Sequence, residues 1–324
     1  MAKIRRLTCI DYPKLKRLIS YLCNGEEEDL AHSLMQEPFG ILNTLLPLEL
    51  KFKPESFILI EDNEILGLIT VCVTNGNHSK INITRLIFKE NRYDVGKKLV
   101  DFVIQKQVGK GATTFVVTVD ESHEELFDLF INGCGFRRCS SETLWKIEKP
   151  VPVNAEINLR TAQNSDAKLI AQLCNSELVN IYKPSLIRAP KEFVQPFFAG
   201  FADCYKKRYV YEESNKILGY FSTTTTDNLN YILDITLCSG YDIAYEDVLN
   251  ALLCDIAQKK RAFYPIVKQK KYLQGSESFG EFLTQKGFSP IQTQHILVKD
   301  FYRPVVEESN AWKVFLLGEN QISS

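Results

Sequence analysis

Apolar residues fall at Leu15, Leu18, Ile19 and Leu22 between Tyr12 and Cys23, the spacing of an amphipathic helix. Ile4 to Thr8 precedes it as a strand, and a loosely helical, apolar-leaning stretch follows as far as Leu50. Two β-rich runs, Ser56 to Glu61 and Ile65 to Val73, flank Asp62-Asn63, a pair that tolerates left-handed backbone, so the pattern predicts a hairpin. Ile81 to Phe88 reads as another strand. Val95 to Val108 then predicts a helix with a buried stripe of Val95, Leu99, Phe102 and Val103, ended by Gly109 and Gly111. A strand over Thr113 to Val119, a short helix over Glu124 to Gly133 and a strand over Arg138 to Ile147 complete the half.

The second half repeats this order. Its hairpin covers Arg208 to Thr224, followed by a strand at Tyr231 to Cys238, a helix at Tyr245 to Lys259 and a strand at Phe263 to Val267. A helix near Phe279 to Lys286 and a strand at Gln294 to Lys299 close it. Individual residues recur too: Arg5 and Asp11 as Arg160 and Asp166, Glu61 to Gly67 as Glu213 to Gly219, and Gly135-Phe136 as Gly287-Phe288. A repeat of this length is a domain with its own core, not a solenoid unit. The expected fold is α/β (α+β) in two domains, 1–149 and 150–324, each a mixed, mostly antiparallel sheet with helices on both faces. Lys149-Pro150-Val151-Pro152 reads as a stiff linker, and the tail from Tyr302 carries Trp312, Val314, Phe315 and Leu316 as docking residues.

The order of elements, and the strand Thr84 to Phe88 running into Asn91-Arg92-Tyr93-Asp94-Val95-Gly96-Lys97-Lys98, resemble the GNAT acetyltransferase superfamily. In that family the strand leads into a loop of pattern Arg/Gln-x-x-Gly-x-Gly/Ala, and the following helix N-terminus holds the pyrophosphate of acetyl-CoA. A helix start offers unpaired amides and a positive dipole end, which favour an anion there. The resemblance implies acetyl-CoA, as a substrate, bound by Leu86, Phe88, Arg92, Val95, Gly96, Lys97 and Lys98. Asn91 and Asp94 depart from the pattern, and Asp94 is also a good N-cap that competes for the same amides. In the second half Ala244 matches the last position of the pattern, while Asp242, Glu246 and Asp247 crowd it, marking this copy as degenerate. Lys268, Lys270 and Lys271 read as a solvated basic loop or a phosphate contact.

Many members of the family supply a proton from a Tyr five residues before the Phe of the Gly-Phe pair. Here those positions are Ile131 and Leu283. Asp120 and His123 are the candidate base residues of the first half, His123 because an imidazole accepts a proton near neutral pH. A loop histidine and a helix-capping carboxylate are the plainer readings, for Glu124 as well. Asp234 interrupts the apolar Ile232-Leu233-Asp234-Ile235, either as a carboxylate on the catalytic strand or as a group pointing to the opposite face. Cys134 reads as a core thiol.

Composition adds limits. The 324 residues carry 39 Lys and Arg against 40 Asp and Glu, so no polyanion surface and no nucleic-acid partner are expected. Nine scattered cysteines without ligand spacing read as reduced thiols and predict no metal site. The chain shows no apolar run of membrane length, so a cytoplasmic protein without membrane contact is expected. The resulting expectation is an N-acyltransferase moving an acetyl group from acetyl-CoA to a small-molecule or peptide amine, with the first half at work. The alternative is a non-catalytic GNAT-fold module that binds a CoA thioester, another small molecule or a protein. The acceptor would be selected by Glu26 to Pro54 and Ser176 to Cys204.

Overall fold

The computed structural model describes residues 2–11, 13–15, 18, 54–73, 78–88, 92–147, 157–195, 205–225, 227–258 and 262–301. The linker at 149–152, the tail from Tyr302, most of the 26–54 segment and Asn91 lie outside them. In the first half, β1 (Lys3–Arg6), β2 (Glu55–Glu61), β3 (Glu64–Val73), β4 (Lys80–Phe88), β5 (Thr114–Asp120) and β6 (Arg137–Lys146) enclose helices α1 (Tyr93–Val108) and α2 (Glu124–Asp128). The second half supplies β7 (Arg160–Thr161), α3 (Ala167–Ser176), the short α4 (Lys183–Leu186), β8 (Tyr205–Glu213), β9 (Lys216–Thr225) and β10 (Asn230–Leu237). It ends with α5 (Tyr245–Ala257), β11 (Tyr264–Lys270), α6 (Ser276–Gln285) and β12 (Ser289–Asp300).

All twelve strands join one sheet, in the order β1-β2-β3-β4-β5-β12-β6-β11-β10-β9-β8-β7. The halves therefore exchange their last strands. β12 of the second half lies antiparallel to β5, from Gln294 opposite Asp120 to Asp300 opposite Thr114. β6 of the first half lies antiparallel to β11, from Ile266 opposite Lys146 to Lys270 opposite Glu142. The two exchanged strands also pair with each other. The hydrogen bonding crosses the 149/150 line at the centre of the sheet.

Helices cover both faces. Alternation along β5 turns Phe115, Val117 and Val119 into the core under α1, where they meet Val95, Leu99, Val100 and Val103. Each such buried aliphatic side chain contributes about 1.5–3 kcal/mol relative to exposure. Phe102, expected in the stripe, sits at its edge and meets Phe57 edge-on at 5.4 Å. On the opposite face Leu15 and Leu18, from the helix expected over 12–23, pack on Ile58, Leu68 and Ile87. The second half repeats this, with α5 and α6 over Leu233 and Ile235 and α3 over Val210 and Tyr220.

The recurring residues have recurring geometry. Asp62 and Asn63 adopt φ of 48° and 68°, and Ser214 and Asn215 adopt 50° and 61°, the paired left-handed conformation of a two-residue hairpin turn. Gly135 and Gly287, at φ of 70° and 82°, turn the chain into the exchanged strands.

Candidate active site

β4 and β5 run parallel but pair only from Lys80–Thr114 to Ile83–Val117. β4 continues to Phe88 and β5 to Asp120, so the strands part toward their carboxyl ends. A register shift between Thr70 and Val71 leaves Thr84 as an extra residue in β4 at the point of separation, and such a bulge bends its strand. α1 begins over the gap. Its N-cap, Arg92, makes no side-chain capping bond, and the amides of Tyr93 and Asp94 have no acceptor within their own helix. A cleft of about 520 Å3 opens there, lined by Phe88, Tyr93, Glu124, Glu125 and Asp128.

The helix starts two residues before the expected Val95, because Tyr93 is fixed on both sides. Its hydroxyl donates to the Asp128 carbonyl at 3.1 Å, and its ring lies where a Cβ on Gly133 would come within 2.4 Å of Tyr93 Oη. Asp94 is therefore inside the helix and not its cap. It accepts from Arg92 Nε at 3.2 Å and Lys98 Nζ at 3.1 Å, which holds its carboxyl below the usual carboxylate range.

The residues nominated for acetyl-CoA fall into three groups. Phe88 lines the cleft. Leu86, Val95 and Gly96 are buried in the α1 core, and a Cβ on Gly96 would lie 2.8 Å from Phe88 Cε1 and 2.9 Å from Leu129 Cδ2. That glycine is thus required by helix packing whether or not a phosphate binds nearby. The basic residues all have partners: Arg92 pairs with Asp94 and Glu61, Lys97 with Asp101 at 3.1 Å and the Gly133 carbonyl at 2.6 Å, and Lys98 with Asp94.

Asp120 and His123 lie together beside the cleft without lining it. One Asp120 oxygen accepts from Ser122 N and Oγ, both at 2.8 Å, and the other accepts from Gln292 of β12. Burial pushes this carboxyl up, but the bonds from Ser122 and Gln292 and the nearby His123 outweigh it, so its pKa ends below the ordinary value. A carboxylate held ionised in this way is a weak proton acceptor. His123, partly exposed at the head of α2, places Nδ1 3.0 Å from Ser122 Oγ. Cys134 is buried, and desolvation pushes its thiol up to about 11. Ile131 and Leu283 pack into the cores, leaving Tyr93 as the one hydroxyl among the five cleft-lining residues. Sequence reading missed Tyr93, although Tyr245 opens α5 at the matching place.

The second half carries a parallel copy. β10 and β11 pair from Asn230–Tyr264 to Asp234–Lys268 and then separate, leaving an open pocket of about 210 Å3 beneath the start of α5. That helix begins at Tyr245, with Ala244 as an extended N-cap. The match of Ala244 to Gly96 is therefore displaced by a turn, and the fully buried Val248 holds the fourth helical position that Gly96 holds in α1. Lys268 and Lys270 are not in a solvated loop. β11 runs through both, held by β6 of the other half. Lys270 pairs with Asp234 and donates to Thr236 Oγ1 at 3.2 Å. Lys268 lies 2.9 Å from Glu142, which also accepts from Tyr272 at 2.7 Å. Burial raises the Asp234 carboxyl, but Lys270 and Lys268 prevail and hold it down at about 2.

Solved structures share this architecture. A tandem GNAT protein from the clavulanic acid biosynthesis pathway aligns over 93% of this chain and 98% of its own, with a TM-score of 0.58 at 12% identity. A GCN5-related N-acetyltransferase from Sphaerobacter thermophilus aligns over 92% and 95%, with a TM-score of 0.60 at 12% identity. The chain has the tandem GNAT fold. No protein-family model and no curated protein matches its sequence. Among the described residues, no His, Cys, Asp and Glu group could hold a metal ion, and no helix is long and apolar enough to cross a membrane.

Proposed function

We propose that this GNAT-fold chain is an N-acyltransferase that uses acetyl-CoA in the cleft of the first half. The observation that carries the reading is the separation of β4 from β5 beneath the uncapped first turn of α1. An opening of about 520 Å3 lies within the ~300–1,000 Å3 range of small-molecule sites. Phe88 would flank the thioester arm, and the first-turn amides with Arg92 would face its phosphates. Acetyl-CoA supplies the activated acyl group. The acceptor amine is a cation in water, drawn by Glu124, Glu125 and Asp128. His123, tethered through Ser122 to Asp120, accepts its proton, and the Tyr93 hydroxyl supplies the proton for the departing thiolate.

The same three carboxylates oppose a phosphate-bearing ligand, which gives the reading a test specific to this chain. Calorimetric titration with acetyl-CoA is expected to show saturable binding, tightened several-fold in a Glu124→Gln, Glu125→Gln variant because like-charge repulsion is relieved. No binding to either protein overturns the assignment. The carboxylate pairing of Arg92 and Lys98, together with the apolar Ile131 and Leu283, favours a second reading: a module that binds a CoA thioester without turnover. Tight binding with no faster release of CoA for any amine would select it.

A further inference from the structure

The pocket of the second half differs from the first cleft in size and in charge. Its volume, about 210 Å3, is less than half that of the first cleft. Its closed end, where β10 and β11 are last paired, is lined by Lys268 and Lys270. Lys270 is only 8% exposed. An ammonium has three donors. Asp234 and Thr236 engage two on Lys270, and Glu142 engages one on Lys268, leaving donors for a further oxygen. Lys206 joins Lys268 and Lys270 in acting on Asp234, and Glu142 is the other carboxylate at this point.

The open end is the start of α6. Gly275, at φ of 71°, is its N-cap, and the first helical bond runs from Phe279 N to the Gly275 carbonyl at 3.0 Å. The amides of Ser276, Glu277 and Ser278 therefore head the helix without acceptors of their own. Ser276 lines the cavity, and its Oγ is shielded from solvent with no hydrogen-bond partner. A buried hydroxyl without a partner is costly unless something fills the role. The walls are mixed: Ile235, Leu273 and Phe279 are apolar, and Ser239, Tyr241 and Gln274 are polar. Asp242 at the rim is the one opposing charge among the lining residues.

We propose that this cavity is a second ligand site, separate from the proposed acetyl-CoA cleft, for a short-chain dicarboxylic acid. One carboxylate meets Lys268 and Lys270, and the other takes the Ser276 hydroxyl and the α6 amides. A monocarboxylate satisfies only one end.

Calorimetric titration of the full chain with succinate and glutarate tests this, with butyrate as the one-ended control. The expected result is saturable binding of a dicarboxylate, at least about tenfold tighter than butyrate. It should weaken about tenfold in Lys268→Gln and several-fold in Ser276→Ala. Ser276→Ala removes only an unpartnered hydroxyl, so it carries the test if Lys268→Gln disturbs Glu142 and the fold. No saturable binding of either dicarboxylate, or binding indifferent to Ser276→Ala in a folded protein, overturns the proposal. Acetyl-CoA binding should be the same in Ser276→Ala as in the unaltered protein, so the two sites stand or fall separately.

Discussion

Tyr93 shows how one residue can serve packing and chemistry at once. Its ring covers Gly133, its hydroxyl reaches the Asp128 carbonyl, and it faces the cleft. Desolvation and Asp128 push the phenol above its ordinary pKa, so it is protonated at neutral pH, as an unshifted phenol also is. Tyr93→Phe retains the ring over Gly133 and removes the hydroxyl with its bond to the Asp128 carbonyl. The variant is expected to keep its melting temperature within a few degrees and to lose about 10²-fold or more in kcat with little change in KM. An unchanged kcat with any productive amine would remove Tyr93 from the chemistry.

Strand and helix are tied together at the same point of both halves. Arg5 on β1 grips Asp11 at 2.6 and 2.7 Å, and Arg160 on β7 grips Asp166 at 2.7 and 3.1 Å. Asp11 also accepts from Thr8 N and Oγ1 at 2.9 and 2.6 Å. The Arg5 bonds, opposed by burial and aided by Thr8, hold Asp11 at about 2, and Arg160 lowers Asp166. Because both folded pKa values are depressed, the stabilisation is full above the unfolded value near 4 and is lost as pH falls toward about 2. The Arg5–Asp11 pair contributes about 1–2 kcal/mol after solvent screening. A melting series from pH 7 to 2 should show this acid limb flattened in Asp11→Asn, Asp166→Asn, and an unaltered limb would contradict it. The recurrence of this motif was legible in sequence because it is local: each Asp stands six positions after its Arg. The hairpin turns and the helices were legible for the same reason. The start of α1 was not, since it depends on Gly133 and Asp128 across the cleft. Nor was the pairing of Lys268 and Lys270, whose partner strand β6 comes from the other half.

The strand exchange makes each cleft depend on both halves. β12 is the second neighbour of β5. It supplies the Gln292 donor to Asp120, packs His295 against Phe127 at 5.2 Å, and contributes Leu297 to the first core. β6 in turn supplies Glu142 to Lys268 in the second cavity. A fragment of residues 1–149 lacks β12, so β5 would present unpaired backbone groups along a β-rich edge, and the first core would lose Leu297. Such an edge invites association with other chains. The fragment is expected to aggregate or melt without cooperativity, whereas co-expression of 1–149 with 150–324 should restore one soluble complex that elutes at the volume of the intact chain. If 1–149 alone were monodisperse with a cooperative transition, the exchanged strands would be dispensable. The first cleft would then have to keep Asp120 and His123 in place without Gln292.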